Sequence, residues 1–262
     1  MRLDKYLADM GAGSRSDVKK LIRQGRVKVE NEIVRDPGAG VEAGSRVALD
    51  GREIVYAEYE YIMLNKPAGV VSAVSDNLHK TVIDIVKDKK RKDLFPVGRL
   101  DIDTEGLLLV TNDGELAHRL LAPGRHVPKR YLARLDAELD DDARYALTHP
   151  MNIGSESEEE WVKPGKIVSE RTITVRENGA GADNGPNGAG SDNGTDEAAC
   201  EVILEITEGK FHQVKRMFAK TGRKVLYLKR LSMGSLKLDE SLKPGESRRL
   251  TEEEINGLKR EV

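Results

Sequence analysis

The first fifty residues alternate between short amphipathic stretches and polar turns. Apolar residues recur at helical spacing over 3–10 and 15–24, which predicts two short helices. Ser14 stands before the second helix, where its hydroxyl can accept a hydrogen bond from the first turn. The stretches 26–30 and 45–49 alternate in the manner of strands. The pattern therefore predicts a small helix–helix–strand domain.

Beyond residue 60 the apolar stretches are longer, and strand-like and helix-like patterns follow one another. The predicted strands are 61–65, 107–111, 130–135, 167–176 and 201–207. The predicted helices are 81–87, 116–121, 140–148 and 214–221. Together these elements predict a larger domain of the α+β class.

The predicted elements divide the chain into two domains. The small domain covers 1–52, a linker covers 53–60, and the larger domain covers 61–250. We expect a tail or a short helix over 251–262. Within the larger domain, 178–199 is rich in Gly, Asn and Asp and poor in apolar residues, so we expect a disordered loop there.

The net charge of −2 conceals strongly opposed segments. Residues 1–35 carry nine Lys or Arg against five Asp or Glu, and 209–230 carry eight basic residues and no acidic one. The segment 136–160 is acidic, with nine Asp or Glu and one Arg. Basic patches of this kind indicate a polyanionic partner, although a charged run can also be no more than a solvated surface.

Composition excludes several classes of protein. The single cysteine, Cys200, allows neither an internal disulfide nor a zinc site built from cysteines. His118, His126 and His212 do not have metal-ligand spacing, so we expect no metal. No apolar run approaches the roughly 18 residues that span a bilayer, and the first residues lack the apolar core of a signal peptide. We therefore expect a cytoplasmic protein that does not enter a membrane.

The stretch 98–111 carries the most evident chemistry. Asp101 and Asp103 stand directly before an apolar run, and Arg99 lies two positions before Asp101. A carboxylate at the mouth of an apolar element is where a catalytic acid, base or nucleophile is expected. From the residues alone, an aspartate at this place could equally cap a turn or a helix.

Spaced motifs along the chain resemble two known families. The N-terminus resembles the small RNA-binding domain shared by a small-subunit ribosomal protein and tyrosyl-tRNA synthetases, in Met1-Arg-Leu-Asp-Lys-Tyr-Leu7, Ser14-Arg15-Ser16 and Ile22-Arg-Gln-Gly-Arg-Val-Lys-Val29. The larger domain resembles the RsuA branch of pseudouridine synthases. Its matching motifs are Leu64-Asn-Lys-Pro-x-Gly69, Gly98-Arg-Leu-Asp101 with Thr104 and Gly106, Lys129-Arg-Tyr131, and Glu208-Gly-Lys-Phe-His-Gln-Val-Lys-Arg-Met217. The resemblance covers nearly the whole chain.

The resemblance implies roles for individual residues. Asp101 would be the catalytic carboxylate, Tyr131 would stack on the target uracil, and Lys215 would pair with Asp101. Arg216 would take the place of Lys215 if the register were off by one, and Arg99 would contact the RNA backbone or help to hold the flipped nucleotide. The other expected RNA contacts are Arg2, Lys5, Ser14, Arg15, Lys19, Arg23, Gln24, Arg26, His212, Gln213 and Arg216.

The implied reaction suits a single carboxylate. Conversion of uridine to pseudouridine breaks the N1–C1′ bond, turns the base and rejoins it through C5. Hydrolytic glycosidases need two carboxylates, whereas an isomerase that keeps its leaving group can use one. Asp101 could attack the sugar or remove a proton from it, and the sequence leaves both possibilities open. A glycosidase or nucleosidase would need a second acid, for which Asp103 is the near candidate.

We therefore expect an α+β enzyme whose catalytic domain is built on a mixed, mostly antiparallel sheet. It would isomerise a uridine of ribosomal RNA without a metal or an organic cofactor. The N-terminus most resembles the small-subunit branch, which favours small-subunit ribosomal RNA in an assembly intermediate, bound by a monomeric enzyme. Large-subunit ribosomal RNA, or a non-catalytic role as an RNA-binding assembly factor, are the alternatives.

Overall fold

The fold was analysed in a computed structural model of the chain. It describes residues 1–42, 44–87, 89–155, 157–175 and 197–261. Most of the loop predicted at 178–199 lies outside the described residues. The last three residues of that segment belong to a strand that begins at Glu197.

The N-terminal domain packs two helices against a small antiparallel sheet. Its elements are α1 (Leu3–Asp9), α2 (Arg15–Arg23), β1 (Val27–Val29), β2 (Glu32–Ile33), β3 (Val47–Leu49) and β4 (Arg52–Ile54). The strands lie in the order β2-β1-β3-β4. Leu3, Leu7, Val18 and Ile22, on the predicted apolar faces of the two helices, are fully buried. β4 extends into the segment predicted as a linker, because it pairs with β3.

The larger domain contains eleven described strands and five α-helices. The strands are β5 (Tyr61–Lys66), β6 (Phe95–Pro96), β7 (Glu105–Thr111), β8 (Lys129–Leu135), β9 (Met151–Asn152), β10 (Trp161–Val162), β11 (Lys166–Val175), β12 (Glu197–Ile206), β13 (Val225–Met233), β14 (Leu236–Lys237) and β15 (Ser247–Arg249). The helices are α3 (Val82–Ile85), α4 (Gly114–Leu121), α5 (Asp141–Leu147), α6 (Gln213–Lys220) and α7 (Glu252–Arg260).

One large sheet organises this domain, with its main strands in the order β11-β12-β8-β13-β7-β5-β15. Strands β13 and β7 run parallel, and the other described neighbours in this order are antiparallel. The sheet is therefore mixed and mostly antiparallel, and with the separate N-terminal domain this confirms the predicted fold class.

The two faces of the sheet bury separate cores, because side chains alternate along each strand. Leu64 of β5 and Leu108 of β7 belong to the core that also holds Tyr131 of β8. Met63 and Leu107, their neighbours in sequence, face the opposite core, against α4 and α7. The face that carries Tyr131 is called the Tyr131 face below.

The short strands β2, β4, β6, β9, β10, β14 and β15 were not predicted, and two long strands also differ from the sequence-based prediction. β13 was not predicted, because its charged residues indicate a surface segment, yet Arg230 in this strand is only 2% exposed. β12 begins four residues before its predicted start and pairs with β11 up to Val175. Among the described residues, no helix is long and apolar enough to span a membrane.

Candidate active site

The short loop that carries Asp101 joins Leu100 to β7, and a buried lysine donates hydrogen bonds to its backbone. Lys66, at the end of β5, is fully buried. Its Nζ donates hydrogen bonds to the carbonyl oxygens of Asp101 at 3.0 Å and Thr104 at 2.9 Å. The carbonyl of Ile102 lies 3.3 Å from the same ammonium. Burial lowers the pKa of Lys66 to about 8, while the nearby aspartates act in the opposite direction.

Further hydrogen bonds fix this loop at Leu100 and at Ile102. The Ser72 hydroxyl accepts a hydrogen bond from the Leu100 amide at 3.0 Å and donates one to the Leu100 carbonyl at 2.9 Å. The Gly69 amide donates to the Ile102 carbonyl at 2.7 Å. The motif Leu64-Asn-Lys-Pro-x-Gly69 thus supplies both Lys66 and Gly69 to this loop. Asp101 is held by its backbone, which leaves its carboxylate available to other groups.

Two side chains near the start of α6 meet the Asp101 carboxylate. Lys215 Nζ lies 3.3 Å from Asp101 Oδ2, and His212 Nε2 lies 3.4 Å from Asp101 Oδ1. Lys215 also lies 2.6 Å from Asp103 Oδ1. This hydrogen bond is the main reason that the pKa of Asp103 is lowered. The lysine therefore places one positive charge between two carboxylates.

The neighbouring Arg216 has different partners. Its guanidinium donates to the Ile153 carbonyl at 2.7 Å and to the Phe211 carbonyl at 3.0 Å, and it lies 2.6 Å from Glu160. These bonds hold the loop before α6 against the β9–β10 hairpin. Lys215 is therefore the basic residue beside Asp101, whereas Arg216 holds the loop before α6 in place.

A cleft on the Tyr131 face brings most of the predicted catalytic-domain residues together. Its lining comprises Arg99, Leu100, Asp101, Thr104, Tyr131, Ile206, Gly209, Lys210, His212, Gln213, Val214, Lys215 and Leu228. Tyr131 is 7% exposed and Arg99 is exposed. Gln213 is buried and its side chain accepts a hydrogen bond from the Lys210 amide, so it also shapes the loop.

The two aspartates are not equivalent. Asp101 lines the cleft, whereas Asp103 is absent from the lining and its side chain is 67% exposed. A hydrolytic glycosidase needs two carboxylates that face one substrate. The geometry therefore argues against the glycosidase alternative. Among the described residues, no group of three or more His, Cys, Asp or Glu side chains could hold a metal ion.

The RNA-binding residues predicted in the N-terminal domain fall into two groups. Arg2 and Arg26 are each bound through two nitrogens to a carboxylate of this domain, that of Asp4 and that of Asp50. Ser14 caps α2 by accepting a hydrogen bond from the Asp17 amide. These three residues are exposed, but their polar groups already have partners. In the second group Lys5, Arg15, Arg23 and Gln24 are exposed, and Lys19 is partly exposed, 3.9 Å from Asp4. The second group is the one more available for phosphates.

Two functional candidates were missed in the sequence. No role was predicted for Lys66, although a lysine that directly follows an uncharged strand could have indicated a buried cation. Phe211 is 75% exposed, and its ring stacks on that of His212 with centroids 3.7 Å apart. Phe211 lies between the polar stretch Glu208-Gly-Lys210 and a predicted helix, and a large aromatic residue at such a place could have indicated an exposed ring. Both residues belong to motifs that surround Asp101.

Comparisons with known proteins indicate the family to which the chain belongs. The model of the RNA pseudouridylate synthase family matches residues 60–220, and that of the S4 domain matches residues 1–47. An uncharacterized RNA pseudouridine synthase of Bacillus subtilis is 41% identical over 98% of this chain and 98% of its own length. The ribosomal small subunit pseudouridine synthase A of Escherichia coli is 37% identical over 97% and 98% of the two chains. A crystal structure of a pseudouridylate synthase is 34% identical, with a TM-score of 0.60, and covers 98% of this chain and 99% of that one.

Proposed function

The chain belongs to the RNA pseudouridylate synthase family, and we propose that it acts on small-subunit ribosomal RNA through Asp101. The observation that carries the proposal for Asp101 is its position. It is the aspartate that lines the cleft, its backbone is bound by Lys66, and its carboxylate lies beside Lys215 and His212. The substrate proposal is supported by full-length relatives named as small-subunit enzymes, including that of Escherichia coli.

In the proposed reaction, Asp101 starts the cleavage of the N1–C1′ bond of the target uridine. Its carboxylate either attacks C1′, so that uracil leaves through N1, or removes a proton from C2′. The free uracil turns within the cleft and forms the C5–C1′ bond, which displaces the Asp101 carboxylate from C1′ in the first route and is accompanied by return of the proton from Asp101 to C2′ in the second. C5 then loses its proton and N1 gains one, so that the product is an isomer of the substrate. Buried walls such as Leu228 keep water from capturing the sugar.

The other cleft residues support this chemistry through charge and stacking. Lys215 places a positive charge 3.3 Å from the Asp101 carboxylate, where it can offset negative charge in the cleft. Tyr131 offers an aromatic ring to a uracil that has left its stack. Phe211, which adjoins His212 of the cleft lining, presents an exposed ring. Arg99 is exposed at the cleft and is suited to a phosphate of the flipped nucleotide.

The N-terminal domain would supply RNA contacts away from the reaction. Exposed Lys5, Arg15 and Arg23 are suited to phosphates, which position a protein on RNA without reading its sequence. Arg2 and Arg26 would have to exchange a carboxylate for a phosphate. Recognition of an assembly intermediate, and action as a monomer, stay predictions.

Replacing each aspartate by asparagine tests the assignment, because the change removes a charge with little change of shape. We expect Asp101→Asn to lower the single-turnover rate of pseudouridine formation by more than about 10³-fold, with RNA affinity nearly unchanged. Asp103→Asn is the matched control, because that residue shares Lys215 but does not line the cleft. It should keep the rate within about tenfold of the wild type. Isomerase activity retained by Asp101→Asn would overturn the proposal.

A further inference from the structure

A dense basic segment between α3 and β6 takes no part in the site described above. Five of the six residues from 87 to 92 are Lys or Arg. Lys87, Lys90 and Lys92 are exposed, and the described residues provide no ion-pair partner for any of the three. We call these three residues the lysine ridge. Lys89 is also exposed, but its Nζ donates to the Ile83 carbonyl.

The backbone beneath the ridge is anchored by two buried charged side chains. Arg91 is 5% exposed and donates to Asp93 at 2.8 and 2.5 Å, while a third nitrogen reaches the Ala57 carbonyl at 3.2 Å. Glu60, which is 4% exposed, accepts hydrogen bonds from the Lys90 and Arg91 amides, both at 2.9 Å. The backbone at Lys90 and Arg91 is therefore held in place before any ligand arrives. Binding there does not carry the full entropic cost of ordering a free loop.

The ridge lies on the side of the sheet that carries the cleft. Val86 and Leu94, which flank the basic segment, are both buried in the core of the Tyr131 face. From Leu94 the chain continues through β6 to the Asp101 loop. The lysines therefore stand on the same side of the central sheet as Asp101.

The ridge also touches the N-terminal domain. The Lys90 carbonyl and Lys92 Cε lie 3.5 and 3.8 Å from the position that a Cβ on Gly11 would occupy. Arg91 completes the contact, with its guanidinium 3.8 Å from Asp9 and over the ring of Tyr56. Gly11 lies in the turn between α1 and α2, and α2 carries the predicted RNA contacts Arg15, Lys19 and Arg23. The lysine ridge thus adjoins the proposed RNA-binding surface of the N-terminal domain and lies on the same side of the sheet as the catalytic cleft.

We propose that the lysine ridge binds phosphates of the RNA strand that runs between the N-terminal domain and the catalytic cleft. Three exposed cations on an ordered backbone match a polyanion, and RNA is the polyanion on which this enzyme acts. The inference rests on RNA as the substrate class. It does not depend on Asp101 or on the choice of ribosomal RNA. An acidic protein surface is the alternative occupant that the test must separate.

The test compares two variants that lose the same charge from opposite faces. Lys87, Lys90 and Lys92 are replaced by glutamine in the ridge variant. Lys237, Lys259 and Arg260 are replaced by glutamine in the control, because they lie on β14 and α7 beside the opposite core. Binding to full-length small-subunit ribosomal RNA and to an oligouridylate is measured from 50 to 300 mM salt.

We expect the ridge variant to raise Kd for both RNAs about tenfold near physiological salt. The slope of log Kd against log salt should fall by about 2, since each lost contact with single-stranded RNA contributes about 0.7. KM should rise more than kcat falls, and the control variant should bind as the wild type does. Equal losses in the two variants would mean a general effect of net charge and would overturn the proposal.

Two further experiments, photo-cross-linking and binding to oligouridylate, test the proposal if the ridge variant is unstable. A photoreactive residue at position 90 of the otherwise unchanged protein should cross-link to RNA, and cross-linking to ribosomal protein alone would assign the ridge to a protein partner. The oligouridylate arm separates this inference from the proposed substrate. A loss of binding to oligouridylate supports the ridge even if small-subunit ribosomal RNA proves not to be the substrate.

Discussion

Lys66 is buried with its charge beside the residue proposed for catalysis. A buried ammonium is costly unless it is hydrogen-bonded, and the loop carbonyls of Asp101 and Thr104 provide the acceptors. The same bonds give the loop a defined shape. The strand pattern of 61–65 leaves a cation at the end of an apolar strand, but it does not show which groups that cation contacts. Its partners come from residues more than thirty positions later in the chain.

The pH dependence of the reaction should expose this lysine. The folded protein releases the Lys66 proton as the pH rises through about 8, whereas an unfolded chain keeps it until about 10.5. Between these values the unfolded state binds more protons, so the contribution of Lys66 to the free energy of unfolding rises with pH. Over the same pH range the loop carbonyls lose their hydrogen bonds to a charged ammonium, because Lys66 becomes a neutral amine. We expect the single-turnover rate to fall roughly tenfold from pH 7 to 9 while the protein stays folded.

Lys129 provides the control for this assignment, because burial lowers its pKa to about 8 as well. Its Nζ donates to the Val127 carbonyl and makes no described bond to the Asp101 loop. Lys129→Met should keep the alkaline loss of rate, which is followed alongside the melting temperature by circular dichroism. If the loss disappears in that variant, or the wild-type rate stays flat to pH 9, Lys66 is not the responsible group.

At the scale of elements, simple periodicity predicted most of the longer strands and helices. It missed β13, which has charges in its centre, and most of the strands of two or three residues. β7 and β8 were predicted within two residues of their observed bounds. β13 was not, because the burial of Arg230 depends on a hydrogen bond to the Leu107 carbonyl of a neighbouring strand. Periodicity along one segment does not contain that information.

The parallel contact between β7 and β13 depends on Gly106. Its φ of +99° disfavours other residues, and a Cβ there would lie 2.3 Å from the Arg230 carbonyl oxygen. We expect Gly106→Ala to lower the free energy of unfolding by about 3 kcal/mol or more, through backbone strain and a shift of β13. Urea denaturation measures this change.

Gly114, at the start of α4, is the matched control. A Cβ there would meet no atom within 4 Å, and its φ lies outside the left-handed region. Gly114→Ala should leave the protein as stable as before or add about 0.5–1 kcal/mol. Equal stability of the two variants would show that β13 can move away without cost, contrary to the account of this contact.

At the scale of the whole molecule, long-range geometry was the part that residue patterns could not supply. Asp101 and Lys215 are 114 positions apart, and their pairing was expected from the family resemblance alone. The structure brings them to 3.3 Å because α6 and the Asp101 loop meet over the Tyr131 face. The lysine ridge escaped notice for a related reason. In the sequence alone, a run of lysines indicates only a solvent-exposed surface. The structure shows in addition that the buried Arg91 and Glu60 hold the backbone beneath these lysines.

The central claim is that this chain isomerises a uridine of small-subunit ribosomal RNA through Asp101. Pseudouridine mapping of all ribosomal RNA tests it most directly, in cells that lack the gene and in the same cells given the wild type, Asp101→Asn or Asp103→Asn. We predict that one small-subunit pseudouridine disappears without the gene, returns with the wild type and with Asp103→Asn, and stays absent with Asp101→Asn. A missing site in large-subunit RNA, or restoration by Asp101→Asn, would contradict the account.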